Sequence, residues 1–230
     1  MARNFDSTND FLLNLNPIFS GLPITIHAKF KHDNGFPPIV DKVIFYHGID
    51  GGGFRFRLLL EGSSAPDRGT IRWVSTENFS NARAQTTGII TENIWQTACG
   101  VEAATNDRRV YLNGTNKGTN STTKDPFKGN TVHQRISIGA EVRSGGVVND
   151  LWEGDLGHIA AWSAALTDDE VLGLETVSPL RMRRDSLVYY CPIGGQSPEQ
   201  DIIGGLDMTI NSSPVQVEEP PVPWGVVAPG

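Results

Sequence analysis

Val110-Tyr111-Leu112-Asn113-Gly114 decides how the rest of this chain is read. Three strand-forming residues run into Asn-Gly. That pair favours a type I′ turn, in which both central residues take positive φ and the twist matches the flanking strands. The stretch therefore predicts a β-hairpin. Further along, Leu156-Gly157-His158-Ile159-Ala160-Ala161-Trp162 is apolar at both parities, which predicts a central strand covered on both faces. Towards the start, Ile24, Ile26, Ala28 and Phe30 alternate with Thr25, His27, Lys29 and Lys31. Period-2 alternation predicts a strand with one wet face, and it puts His27 on that face. Val43 to Tyr46 and the run Phe54, Phe56, Leu58, Leu60 flank Asp50-Gly51-Gly52-Gly53, which predicts a second hairpin. More strands are expected over 70–75, 94–101, 135–140, 187–190 and 208–210.

One helix fits the pattern, near 168–175. Thr167 and Glu170 have capping-box spacing, and Asp168 and Asp169 favour the positive end of a helix. Gly173 and Pro179 keep it short. With 25 glycines and 14 prolines in 230 residues, turns are frequent and strands short. Many short strands with one late helix predict an all-β, two-sheet antiparallel sandwich or jelly roll. The expected organisation is one jelly-roll domain over 1–213, followed by a Pro-rich extended arm over 214–230. Four prolines after Val215 argue against a place in a central sheet.

The totals also exclude function classes. A net charge of -7 argues against sequence-independent nucleic-acid binding, which runs on phosphate neutralisation. No run of about 18 apolar residues is present, so no membrane-spanning helix is expected. The start, MARNFDSTND, has no apolar segment of the secretory kind. Cys99 and Cys191 are the only cysteines, and a buried reduced pair is the expectation.

Several segments together resemble the laminin G-like, concanavalin A-like jelly rolls. They are Ile24-Thr25-Ile26 with Phe30-Lys31, Arg109 to Gly114, Ile136-Ser137-Ile138-Gly139, the stretch Glu153 to Trp162, Leu166 to Val171, and Tyr189-Tyr190 with Gly204-Gly205-Leu206. Glu153-Gly154 stands where Asp-Gly is usual, and Phe30 where Trp is common. The resemblance implies a concanavalin A-like fold over nearly the whole chain. It does not fix function, because the family includes lectins, enzymes, adhesion modules and virion proteins.

No catalytic set is legible. Glycosidases of this fold carry closely spaced carboxylates that flank the scissile bond. Glu153-Gly154-Asp155 supplies half of such a set, but Leu156, Gly157 and His158 follow where the second half belongs. His27, His32, His47, His133 and His158 are scattered, with no metal-site spacing. Asn149, Asp150, Glu153 and Asp155 raise the question of calcium, and a solvated acidic loop is the favoured reading. No cofactor is expected. Trp95 and Trp162 read as core, whereas Trp152 and Trp224 read as exposed and available to a glycan or a protein. Asn78-Phe79-Ser80 and three further sequons read as products of a turn-rich composition.

The expected function is therefore a non-enzymatic structural or binding module. The start at Met1 without a targeting peptide, and the single module without a catalytic set, point to a tailed-bacteriophage virion protein. Capsid decoration, head fibre and tail adhesion are the roles considered. Expected partners are other virion proteins, further copies of the chain and host-surface glycans, with neither nucleic acid nor membrane. The alternative is a lectin-like module for host-surface glycans; a glycoside hydrolase ranks below both. Candidate contact residues are Trp152, Trp224, Pro220, Pro221 and Pro223, with the terminal segments 1–10 and 215–230 as the contact arms.

Overall fold

The computed structural model describes residues 2–33, 38, 40–49, 53–62, 66–130, 133–212 and 214–217. In chain order the strands are β1 (Ala2–Asp6), β2 (Phe11–Asn14), β3 (Ile24–His32), β4 (Lys42–Gly48), β5 (Phe54–Leu60) and β6 (Thr70–Glu77). They continue with β7 (Ser80–Ile89), β8 (Gln96–Ala104), β9 (Asp107–Leu112), β10 (Asn116–Asn120), β11 (Arg135–Ile138) and β12 (Glu141–Val142). The last are β13 (Val148–Asn149), β14 (Glu153–Trp162), β15 (Leu187–Cys191), β16 (Thr209–Asn211) and β17 (Val215–Val217). The α-helix α1 (Asp168–Gly173) lies between β14 and β15.

Two antiparallel sheets make the sandwich. One has eight strands in the order β10-β9-β8-β3-β14-β1-β17, with β15 also paired to β14. On the side of β14 away from β3, β1 takes 153–156 and β15 takes 159–162. The other sheet has seven strands, ordered β16-β2-β11-β4-β5-β6-β7. β12 and β13 form a small separate ribbon. The expected all-β jelly roll with one short helix is what the chain adopts.

The inner faces bury Phe30, Phe45, Phe56, Trp73, Leu112, Ile138, Trp152 and Tyr189 in one cluster. Gly100 makes room for this packing, because a Cβ there would meet the Trp73 ring at 2.0 Å. A second cluster lies on the outer face of the eight-stranded sheet. There Leu166, Val171 and Leu174, from α1 and its flanks, cover Cys99, Val101, Tyr111 and Trp162. This covering explains why 156–162 is apolar at both parities. It also corrects the wet face expected for β3: Thr25 and His27 are buried. Cys99 and Cys191 are buried free thiols.

Asn113 and Gly114 both have positive φ, at 51° and 66°, as the Asn-Gly reading required. The loop is one residue longer than a two-residue turn, since Leu112 pairs with Asn116. The capping box on α1 is present in both directions: the Thr167 hydroxyl accepts from Glu170 N–H, and the Glu170 carboxylate accepts from Thr167 N–H at 2.8 Å. Thr167→Ala is expected to cost about 1 kcal/mol, seen as a melting temperature lower by about 2–4 °C. An unchanged melt would show that packing alone holds α1.

The start of the chain is not a free arm. Ala2–Asp6 lies inside the sheet between β14 and β17. Its Arg3 is buried, pairs with Glu199 and donates to the Pro214 carbonyl at 2.8 Å. Within the expected Pro-rich arm over 214–230, Val215–Val217 is a strand at the sheet edge, and 218–230 lie outside the described residues. An edge needs only one side of the backbone, so the prolines that follow do not prevent it. The glycines of the second hairpin turn, Gly51 and Gly52, lie outside the described residues.

Candidate binding site

Register builds the site. On the seven-stranded sheet, Phe56, Leu58, Trp73, Ala82 and Ala84 are buried and the alternate residues point outward. Three outward rows follow from the ladders. Arg55 stands opposite Thr76, and Thr76 opposite Asn81. Arg57 stands opposite Val74, and Val74 opposite Arg83. Leu59 stands opposite Arg72, and Arg72 opposite Gln85. Four arginines thus share one sheet face.

The ribbon and the loops around it supply counter-charges to three of them. Glu141, fully buried, takes Arg57 Nη1 at 2.7 Å and lies 3.5 Å from Arg55 Nε. Burial pushes the Glu141 carboxyl up, but Arg57, Arg55 and Arg143 outweigh it and hold it below the usual carboxylate range. Asp150 lies 3.5 Å from Arg57, and burial lifts its carboxyl to about 6. Arg72 pairs with Glu61, reaches Asp67 at 3.2 Å and donates to Gln85 at 2.8 Å. Arg83 is exposed and has no ion-pair or hydrogen-bond partner among the described residues. A recess of about 140 Å³ opens here, lined by Asp41, Arg57, Arg72, Val74, Asn81 and Arg83. Its lining sets three guanidinium groups beside the Asp41 carboxylate; those of Arg57 and Arg72 are already paired, and that of Arg83 has no partner among the described residues.

The residues singled out from sequence lie elsewhere. Trp152 is fully buried, packed edge-on against Phe30 and His32, so its expected exposure is wrong. The neighbouring turn hid this, because a Gly-rich loop reads as surface while the next residue can still point inward. Trp224, Pro220, Pro221 and Pro223 lie outside the described residues. Trp162 is core as expected. Trp95 is not; it is half-buried, with Lys31 Nζ 5.8 Å from its ring centre.

The acidic group is split among different cations. Glu153 meets Lys42 at 3.2 Å, and Asp155 meets Lys31 at 2.6 Å and Asn4 at 2.8 Å. Among the described residues no group of three or more His, Cys, Asp or Glu gathers as metal ligands do. His27 faces His158 at 3.1 Å, and His47 faces His133, so four of the five histidines meet as two buried pairs. The arginine rows were missed in sequence because Arg55, Arg57, Arg72 and Arg83 lie on three strands that only the register brings side by side. The signal was there in Phe54-Arg55-Phe56-Arg57, which repeats one charged type at period 2.

A two-sheet antiparallel sandwich of this strand order defines an all-β jelly-roll domain. Residues 7–172 match the model of the Concanavalin A-like lectin/glucanases superfamily, and the chain belongs to that family. No curated protein sequence matches it. Among solved structures it is similar to the heptameric SAP-like pentraxin of Limulus polyphemus, at 18% identity and TM-score 0.58, covering 92% of this chain and 94% of that one. It is similar to the Ruminococcus gnavus IT-sialidase CBM40 bound to α2,3-sialyllactose, at 14% identity and TM-score 0.53, covering 68% and 84%. It is also similar to domain 4 of AbnA, an extracellular arabinanase of Geobacillus stearothermophilus, in complex with arabinotriose, at 16% identity and TM-score 0.58, covering 76% of each. At these identities the likeness shows the fold.

Proposed function

We propose that this chain is a non-enzymatic binding module that captures a glycan carrying carboxylates on the arginine rows of its seven-stranded sheet. The observation that carries the reading is Arg83: an exposed guanidinium that lines the recess and has no ion-pair or hydrogen-bond partner among the described residues, while Arg57 and Arg72 beside it are already paired. Such a group offers a bidentate fork to a ligand carboxylate without displacing an existing partner. The sialyllactose-bound and arabinotriose-bound relatives support glycans as the ligand class. The engagement of Glu153 and Asp155 by separate lysines supports a role without turnover.

The expected result on a printed array of acidic and neutral oligosaccharides is saturable binding to acidic members only. Arg83→Ala should lower that binding about tenfold or more, since a charge-assisted hydrogen bond contributes about 1.5–3 kcal/mol. A flat array, or equal signal from acidic and neutral members, would sink this reading.

The second part of the proposal concerns where the module works. We place it on a virus particle of the tailed-bacteriophage kind, as a decoration, fibre or adhesion subunit that contacts copies of itself and other particle proteins. The edge position of Val215–Val217, from which the sequence runs on into Pro220, Pro221 and Pro223, supports a contact segment leaving the sandwich there. Mass spectrometry of purified particles should find the protein at a copy number set by symmetry. Its absence from particles would remove this part and leave the glycan reading standing.

A further inference from the structure

The β6–β7 turn holds a feature that the arginine rows do not use. Glu77 pairs with Ser80, so Asn78 and Phe79 are the two turn residues. Their φ values are 48° and 62°, both left-handed. Asn at the first position is ordinary for such a turn, whereas the second normally takes Gly. A left-handed backbone is unfavourable for an aromatic residue with a Cβ. The ring gains little burial in exchange, since Phe79 is 74% exposed.

Its location gives the strain a use. The Phe79 N–H donates to the Gly53 carbonyl at 3.2 Å, and a Cβ on Gly53 would meet the ring at 3.3 Å. Gly53 precedes Arg55 by two residues, and β7 continues from Phe79 through the outward residues Asn81 and Arg83. The Phe79 ring in the turn is therefore followed along β7 by the Asn81 amide and the Arg83 guanidinium. At about 3.3 Å per residue, Phe79 and Arg83 stand roughly 13 Å apart. A single sugar ring does not reach from one to the other.

We infer that Phe79 is a stacking platform for a second sugar, and that the site reads an acidic oligosaccharide with its carboxylate at Arg83. This rests on the arginine-row reading and adds the ligand's length and direction to it. An aromatic ring presents an apolar face to the C–H side of a sugar, while Asn81 and Arg83 take its polar groups.

The test uses the full chain and isothermal titration calorimetry. Acidic probes are α2,3-sialyllactose and trigalacturonate, with lactose as the neutral one and free sialic and galacturonic acids as the single sugars. The variants are Arg83→Ala, Phe79→Gly and Phe79→Asn. The wild-type chain should bind an acidic oligosaccharide and not lactose. Both Phe79 variants should weaken that binding about five- to tenfold and leave the single acidic sugar unchanged. Both should melt at or above the wild-type temperature, because Gly and Asn accept the left-handed turn. Unchanged oligosaccharide affinity in the Phe79 variants would overturn the platform and leave the arginine reading intact. Wild-type chain that binds neither acidic oligosaccharide would overturn both. Melting several degrees lower in both Phe79 variants would make Phe79 a packing residue and also overturn the platform.

Discussion

Lowering the pH from 7 to 5 is expected to cost this fold stability through its histidines, at up to about 1.4 kcal/mol per pH unit for each buried neutral ring. The cause is four buried neutral histidines. Burial is the main cause that holds His27 at about 3 and His133 at about 4, and it places His47 and His158 well below the ordinary value. The hydrogen bonds fix the neutral state of one pair. His47 Nε2 accepts from Ile18 N–H at 3.1 Å and from Phe19 N–H at 3.2 Å, so it carries no proton. Its proton is then on Nδ1 and is donated to His133 Nδ1. His133 in turn donates Nε2–H to the Pro126 carbonyl at 2.8 Å. A further proton on either ring would face a donor.

In the unfolded chain each of these rings titrates near 6.5. Below that value the unfolded state takes up protons that the folded state refuses. Stability is therefore lost from about pH 6.5 downward, until the folded values are reached. Each histidine contributes a slope of up to about 1.4 kcal/mol per pH unit over that window, and Asp150, whose carboxyl burial lifts to about 6, offsets part of it. Urea unfolding at pH 7, 6, 5.5 and 5 measures the slope. His27→Gln/His158→Gln should flatten it by up to about 2.7 kcal/mol per pH unit, whatever its stability at pH 7. A slope equal to that of the wild type would show that carboxylates, not these histidines, drive the acid transition.

Those histidine pairs also show where sequence reading reached and where it stopped. Alternation in Ile24-Thr25-Ile26-His27 correctly gave a strand and its inward side. It could not show that α1 and its flanks would cover the outward side, because that is tertiary packing between segments some 140 residues apart. The covering helix itself was legible, since a capping box is a local signal. Likewise Val110 to Gly114 fixed the hairpin, as turn chemistry is written in two adjacent residues. The first strand, Ala2–Asp6, was not legible. Its Arg3 and Asn4 look solvated until Glu199 and Asp155 are brought beside them. The candidate site divides in the same way. Arg55 and Arg57 were visible as a period-2 repeat, but their union with Arg72 and Arg83 depends on the β5–β6–β7 register. Trp152 was misplaced because exposure was inferred from a neighbouring loop.

Arg108→Met is expected to destabilise the chain by about 3–5 kcal/mol, the usual result of stripping one partner from a buried ion pair. Arg108 and Glu102 are both fully buried, and the guanidinium lies 2.8 Å from the carboxylate. The same guanidinium donates to the carbonyls of Thr105, Thr122 and Lys124, so it ties the chain on either side of the β9–β10 hairpin to the sheet. Glu102 in turn accepts from Trp73 Nε1–H at 2.9 Å and from the Ser75 hydroxyl, which links the eight-stranded sheet to the seven-stranded one through the core. With Arg108 gone, burial, which already pushes the Glu102 carboxyl upward, acts without its main opposing charge. The carboxyl then takes a proton more readily, so the deficit relative to wild type should narrow as the pH is lowered from 8 to 6.5. Arg108→Met/Glu102→Met removes both charges, and its loss should be smaller than the sum of the two single losses by about 1–3 kcal/mol, as for residues in one network. Denaturant melts of the four proteins close the cycle. Additive losses would mean that the pair contributes nothing as a pair, and that Arg108 acts only through the three carbonyls it holds.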